Sequence, residues 1–156
     1  SYSALSSRMD VDLTAFGATG SLALITLDNG HDHTRPNTFG PQSLMALDAA
    51  ITEAISRKPA AIAITGKPFI FAAGADLSGI SFLSDIKQAQ AIGKVGHDVF
   101  RRFGESKKPT FAFVNGLALG GGLEVALHCN YRSVASTAFT GRRVTPRSVA
   151  HPAGCS

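Results

Sequence analysis

Apolar and polar residues fall in blocks along this chain, and the period changes from block to block. Ser21–Leu27 (SLALITL) is a short apolar, partly β-branched run that stops at Asp28-Asn29-Gly30, the pattern of a strand entering a turn. His31–Pro41 is polar with two prolines and predicts a loop. From Gln42 to Arg57 the apolar residues Leu44, Leu47, Ile51 and Ile55 recur at helical spacing, which predicts an amphipathic helix ended by Pro59. Ala60–Thr65 predicts a second buried strand, Gly66-Lys67-Pro68 a turn, and Phe69–Ala73 a third short strand. Leu83 to Phe103 carries Leu83, Ile86, Ala89, Ile92, Val99, Phe100 and Phe103, a helical pattern with an interruption expected near Gly93 and Gly96. Thr110–Val114 follows Pro109 as another strand, Asn115–Gly122 is a glycine-rich turn, Leu123–Cys129 reads as helix and Tyr131–Ala135 as a last strand.

Strands alternating with helices predict an α/β layered fold with a mostly parallel sheet. Residues 1–20 are small and polar and read as a ragged lead-in. From residue 137 the apolar period is lost, so 137–156 reads as an atypical basic, disordered tail. The domain expected to fold is therefore 21–136.

Composition narrows the function classes. The chain has 156 residues, 44% apolar and 17% charged, which suits a globular domain with a real core. The formal charge of +4 suggests an anionic partner until the bases are located. Three of the fifteen, Arg142, Arg143 and Arg147, lie in the acid-free last twenty positions. The other twelve share residues 1–136 with all eleven acids, so the body is near neutral and offers no nucleic-acid surface. No apolar run reaches the ~18 residues of a membrane span. The first residues carry no apolar signal core, so a cytoplasmic location is expected. Two cysteines make no disulfide framework; Cys129, inside an apolar run, reads as a core residue. The five histidines show no metal-ligand spacing, so no metal is expected, and His128 reads as packing or surface.

Two segments can carry chemistry. In Phe71-Ala72-Ala73-Gly74-Ala75-Asp76-Leu77 a strand runs into an Ala-Gly-Ala turn whose side chains are no larger than methyl, so a ligand can touch backbone. By itself it also reads as a tight strand exit. In Asn115-Gly116-Leu117-Ala118-Leu119-Gly120-Gly121-Gly122-Leu123-Glu124 three glycines precede a helix, whose free N–H groups and dipole favour an anionic oxygen. It is neither a GxGxxG nor a Walker sequence. Glu124 in the first turn reads equally as a carboxylate stabilised by the dipole. Together the segments suggest two N–H donors converging on one oxygen, an oxyanion hole, with a carboxylate beside it for proton transfer.

This pair of segments resembles the enoyl-CoA hydratase/isomerase (crotonase) family. The resemblance runs from about Ser21 to Ala135 and includes Arg35-Pro36-Asn37-Thr38-Phe39 (RPNTF) and KKPTFAFVNG ahead of the glycines. It implies an incomplete crotonase-like ββα spiral that acts on acyl-CoA thioesters of fatty-acid β-oxidation. In that reading Ala75 and Gly121 supply the oxyanion N–H groups and Glu124 is a catalytic glutamate. Ala73, Gly74, Asp76, Leu77, Leu119 and Gly120 contact the substrate. The CoA thioester is substrate, no cofactor is needed, and the family assembles as trimers or dimers of trimers.

The sequence departs from the family where hydratases carry a second glutamate, about twenty residues beyond the first. Position 144 is Val144, and no acid follows Glu124. The resemblance therefore covers the N-terminal part of such a domain, truncated or frame-shifted after about residue 136. Poor hydration by this chain is expected. The competing readings are a family isomerase or hydrolase using one carboxylate, or an inactive fragment that only binds CoA or packs.

Overall fold

The computed structural model describes residues 5–76 and 86–141. The elements, in chain order, are β1 (Leu5–Asp12), a single 3-10 turn at Thr14–Phe16, β2 (Ser21–Asp28), α1 (Pro41–Ser56), β3 (Ala61–Gly66) and β4 (Ile70–Ala72). They continue with α2 (Ile86–Gly104), β5 (Thr110–Val114), β6 (Leu117–Ala118), α3 (Gly121–His128) and β7 (Tyr131–Val134). The expected mixed α/β architecture is present. Five strands form one sheet in the order β1-β2-β3-β5-β7, antiparallel only between β1 and β2. A second, two-stranded parallel sheet pairs β4 with β6.

This topology is a repeat. β3-β4-α2 and β5-β6-α3 are successive ββα units: their first strands lie side by side in the large sheet and their second strands in the small one. The inner strands β2, β3 and β5 bury one face through Ala23, Ile25, Leu27, Ile62, Ile64, Ala112 and Val114, while the other face of β2 and β5 is partly exposed, Phe113 by 37%. Ile25, Leu27, Ile62 and Ile64 from the sheet, Leu44, Leu47 and Ile51 from α1, Phe71 from β4, Phe103 from α2 and Val125 from α3 are all nearly fully buried.

Four sequence expectations need correction. The lead-in contains β1, which pairs residue for residue with β2 from Leu5↔Asp28 to Asp12↔Ser21. It has no apolar period because it is an edge strand, held by its backbone ladder and by charge. Arg8 bonds Asp10 and reaches Glu53 of α1 at 2.9 Å, while Arg57 reaches Asp10 at 3.3 Å. On α1, Ala54 is buried and Ile55 is 45% exposed, since continuing the helical period from Leu47 and Ile51 lands on 54. α2 runs unbroken through Gly93 and Gly96. Gly96 is where α2 meets α1: a Cβ there would already lie 3.8 Å from both Leu44 methyl carbons. Finally, the glycine-rich turn contains β6.

Two asparagines fix the loops. Asn37, fully buried, donates to the Leu27 carbonyl at 2.8 Å and the Phe71 carbonyl at 3.1 Å, and accepts from the Asn29 N–H. Asn115 accepts from the Gly66 N–H at 3.1 Å and donates to the Lys67 carbonyl at 2.7 Å, joining the ends of β3 and β5. Lys67 is itself 4% exposed, and its ammonium donates to Asn29 and to the carbonyls of His31, Asp32 and Arg35. Burial lowers its pKa, against the nearby carboxylates of Asp28 and Asp32. A lysine that short of water is tolerated because four acceptors surround it.

Candidate active site

The site forms where the two short strands end. The turn after β4 is strapped to the loop before α1. The Phe39 N–H donates to the Gly74 carbonyl at 2.7 Å, and the Asp76 N–H donates to the Phe39 carbonyl at 2.6 Å. These two bonds are a parallel bridge centred on Ala75. In such a bridge the central residue's own N–H faces the opposite side, so the Ala75 N–H points away from Phe39. The turn after β6 leads into α3, where Gly121 is the first helical residue and the Glu124 N–H makes the first intrahelical bond, to Gly120. The Gly121 N–H is one of the donors that a helix start leaves without an intrahelical acceptor. Among the described residues, neither the Ala75 nor the Gly121 N–H is engaged by a backbone acceptor.

The turns touch. Gly74 (φ +101°) and Gly120 (φ +50°) hold conformations that side chains rarely adopt, and a Cβ on Gly74 would lie 3.7 Å from the Gly121 nitrogen. Ala75, Asp76, Gly121 and Glu124 share one cavity of about 160 Å³, closed on its apolar side by Phe39, Leu44, Ile92 and Phe100. That volume is small beside a whole-ligand pocket and suits a single reacting group. Phe39 and Phe100 meet edge to face with ring centroids 5.0 Å apart.

The Glu124 side chain is 44% exposed at the cavity mouth, and His97 of α2 meets it with Nδ1 3.2 Å from Oε1. His128, one turn further along α3, bonds the Glu124 carbonyl at 2.9 Å through its own Nδ1. His97 escapes sequence reasoning because it lies 27 residues ahead of Glu124, in a helix the pattern marks only by its apolar face. His128 is visible at i+4 from Glu124, but one neighbour is no constellation.

The family model for enoyl-CoA hydratase/isomerase matches residues 17–145. The chain belongs to the enoyl-CoA hydratase/isomerase family. The crotonyl-CoA hydratase of Syntrophomonas wolfei is 38% identical over 109 residues, which are 68% of this chain and 41% of that protein. The fatty acid oxidation complex subunit alpha of Shewanella loihica is 33% identical over 126 residues, 80% of this chain and 18% of that one. Among solved structures, Pseudomonas aeruginosa DspI superposes with a TM-score of 0.69 at 29% identity, covering 85% of this chain and 51% of that one. The chain thus spans about half the length, or less, of the relatives it matches.

Against that family's frame, the residues expected at the site divide. Ala75, Asp76, Gly121 and Glu124 reach the cavity. Ala73 and Leu119 do not line it, and their N–H groups are engaged by the carbonyls of Asn37 and Ala72, at 2.7 Å and 2.9 Å. Gly74 and Gly120 shape the turns behind it. Leu119, Gly120 and Glu124 also border a shallow groove on the other side of α3, with Leu123, Leu127, Thr140 and Gly141. Leu77 lies outside the described residues, as does Val144 with the rest of the tail beyond residue 141. Phe39, Ile92 and Phe100 were not among the expected site residues; the RPNTF segment carried Phe39, but nothing in its pattern gave the ring a role. Among the described residues no helix is long and apolar enough to cross a membrane.

Proposed function

We propose that this chain binds an acyl-CoA thioester and stabilises the enolate formed from it, with the Ala75 and Gly121 N–H groups donating to the thioester oxygen. Glu124 moves a proton at the adjacent carbons. The observation that carries this is the convergence of Ala75, Gly121 and Glu124 on one small cavity whose opposite wall is apolar. A thioester carbonyl gains negative charge when an α-proton leaves or when water adds at the β-carbon. Two preorganised donors favour that state most where water is excluded. Membership of a family that includes fatty acid oxidation proteins supports a place in β-oxidation. A homotrimer in the cytoplasm is the assembly this reading carries.

A single-carboxylate isomerase or hydrolase is the second reading. It is favoured because Val144 stands about twenty residues beyond Glu124, where hydratases of the family carry a second glutamate. Hydration asks for one group to activate water and another to deliver a proton; isomerisation can return one proton with one carboxylate.

The test is binding and turnover of a short 2-enoyl-CoA and of its 3-enoyl isomer by the chain and by Glu124→Gln and Gly121→Pro. Proline is favoured at the first position of a helix, so Gly121→Pro deletes one donor at little cost to α3. The expected result is measurable binding with weak hydration. Any turnover should fall about 10²–10³-fold in Gly121→Pro and about 10²–10⁴-fold in Glu124→Gln. Turnover indifferent to Glu124→Gln removes the carboxylate from the mechanism. Failure to bind either thioester removes the proposal.

A further inference from the structure

We propose that His97, Glu124 and His128 form a binding site for one divalent transition-metal ion of the zinc class. The inference stands on geometry and does not depend on the thioester chemistry. One donor atom from each of the three side chains lies within 4.8 Å of the other two. They come from two packed helices, His97 from α2 and the i, i+4 pair Glu124 and His128 from one face of α3.

The donors lie close to the arrangement a metal needs. The His128 Nδ1 faces the Glu124 carbonyl at 2.9 Å. A carbonyl only accepts, so Nδ1 carries the proton and Nε2 keeps its lone pair. A backbone partner of this kind fixes the tautomer and orientation of metal-bound histidines. The His97 Nδ1 lies 3.2 Å from the Glu124 Oε1. Two ligands bound at ~2.0 Å in a tetrahedron stand about 3.3 Å apart, so an ion can replace the proton shared by this pair with almost no movement. The third donor, from His128, lies no more than 4.8 Å from the other two and has to move inward by up to about 1.5 Å to bring all three within bonding reach. Its ring already lies edge-on to His97, with centroids 5.2 Å apart. Two imidazoles and a carboxylate suit zinc in preference to calcium or magnesium, which take oxygen ligands. With three protein ligands a fourth position stays open, beside the cavity that Glu124 lines.

The experiment is calorimetric titration of the purified chain, stripped with chelator, with ZnCl₂ and separately with MgCl₂. One Zn²⁺ per chain is expected, with Mg²⁺ much weaker. His97→Gln and His128→Gln should each lower the Zn²⁺ affinity at least about tenfold. The double variant His31→Gln/His33→Gln, which removes the other close histidine pair in the sequence, should leave it unchanged. Both single variants alter side chains at the surface or half-buried, and circular dichroism in chelator verifies that each is folded. Glu124→Gln gives an independent third loss with the shape retained. No saturable Zn²⁺ uptake, equal uptake of Mg²⁺, or uptake that survives His97→Gln and His128→Gln but vanishes in the His31/His33 variant would each overturn the proposal.

Discussion

Gly122→Ala tests whether the closeness of α3 to β4 holds the site together. A Cβ on Gly122 would stand 2.0 Å from the Ala72 carbonyl oxygen, 2.6 Å from its carbon and 2.9 Å from the Ala72 methyl. Carbon and oxygen meet comfortably at about 3.3 Å. The first turn of α3 therefore has to retreat by more than ~1 Å, because the atom it meets is backbone and cannot swing aside. Overpacking of this kind costs about 1–3 kcal/mol. The thermal midpoint should fall by about 2–4 °C for each kcal/mol in a chain of this size. The retreat also carries the Gly121 N–H and Glu124 away from Ala75, and a 1 Å misplacement of reacting groups can cost about 10²-fold in rate. The assay is thermal unfolding followed by circular dichroism, paired with acyl-CoA binding. Gly93→Ala is the matched control for the thermal midpoint alone, since Gly93 borders the cavity. It lies in α2, where an added Cβ meets nothing within 4 Å, so it should stabilise by up to about 1 kcal/mol. An unchanged midpoint and unchanged affinity in Gly122→Ala would refute the reasoning.

Two further outcomes follow from the buried polar groups. Lys67→Met should destabilise the chain by about 2 kcal/mol or more in urea unfolding, since it removes the charged donor shared by Asn29 and three loop carbonyls. Burial pushes the Cys129 thiol up to about 12, so in a Cys155→Ser background it should resist a thiol reagent at neutral pH until the chain unfolds. With the folded value above the 9.0 of an ordinary thiol, the stability contributed by Cys129 is complete below pH 9.0. It is lost as pH rises toward 12, and Cys129→Ala should flatten that part of the profile.

The covered parts of the fold were legible because burial leaves a period. β2, β3 and β5 announced themselves as apolar runs, and α1 as a stripe through Leu44, Leu47 and Ile51. β1 was not legible, because a half-exposed edge strand is held by a backbone ladder that has no side-chain signature. Gly93 and Gly96 suggested a break in α2 on propensity alone. The helix persists because Val99, Phe100 and Phe103 bury one face of it, and packing outweighs a cost of about 1 kcal/mol per glycine. That Ala75, Gly121 and Glu124 line one cavity was suggested only by two motifs taken together, while the contact of His97 with Glu124 was not readable at all. Its meeting with Glu124 depends on how α2 lies against α3, a tertiary fact with no local spacing.

That meeting of motifs is itself explained by the shortest elements in the chain. β4 has three residues and β6 two, too few to be stable alone. Yet their parallel pairing sets Ala72 beside Ala118. Counting three residues onward from each reaches Ala75 on one strand and Gly121 on the other. Parallel strands leave a sheet at the same end, so the turns that follow Ala72 and Ala118 start side by side, and Gly74 packs against Gly120 and Gly121. The pairing already carries one register shift, between Ile70 and Ala72, and a further slip at Ala72 would turn the groups that follow to the opposite face. The register is protected from outside the small sheet. Asn37 grips β4 through the Phe71 carbonyl, Asn115 fixes the approach to β6, and the Leu119 N–H donates to the Ala72 carbonyl at 2.9 Å. The large sheet and the three helices together supply most of the buried core, and it is these few polar bonds around the small sheet that hold the two turns against each other.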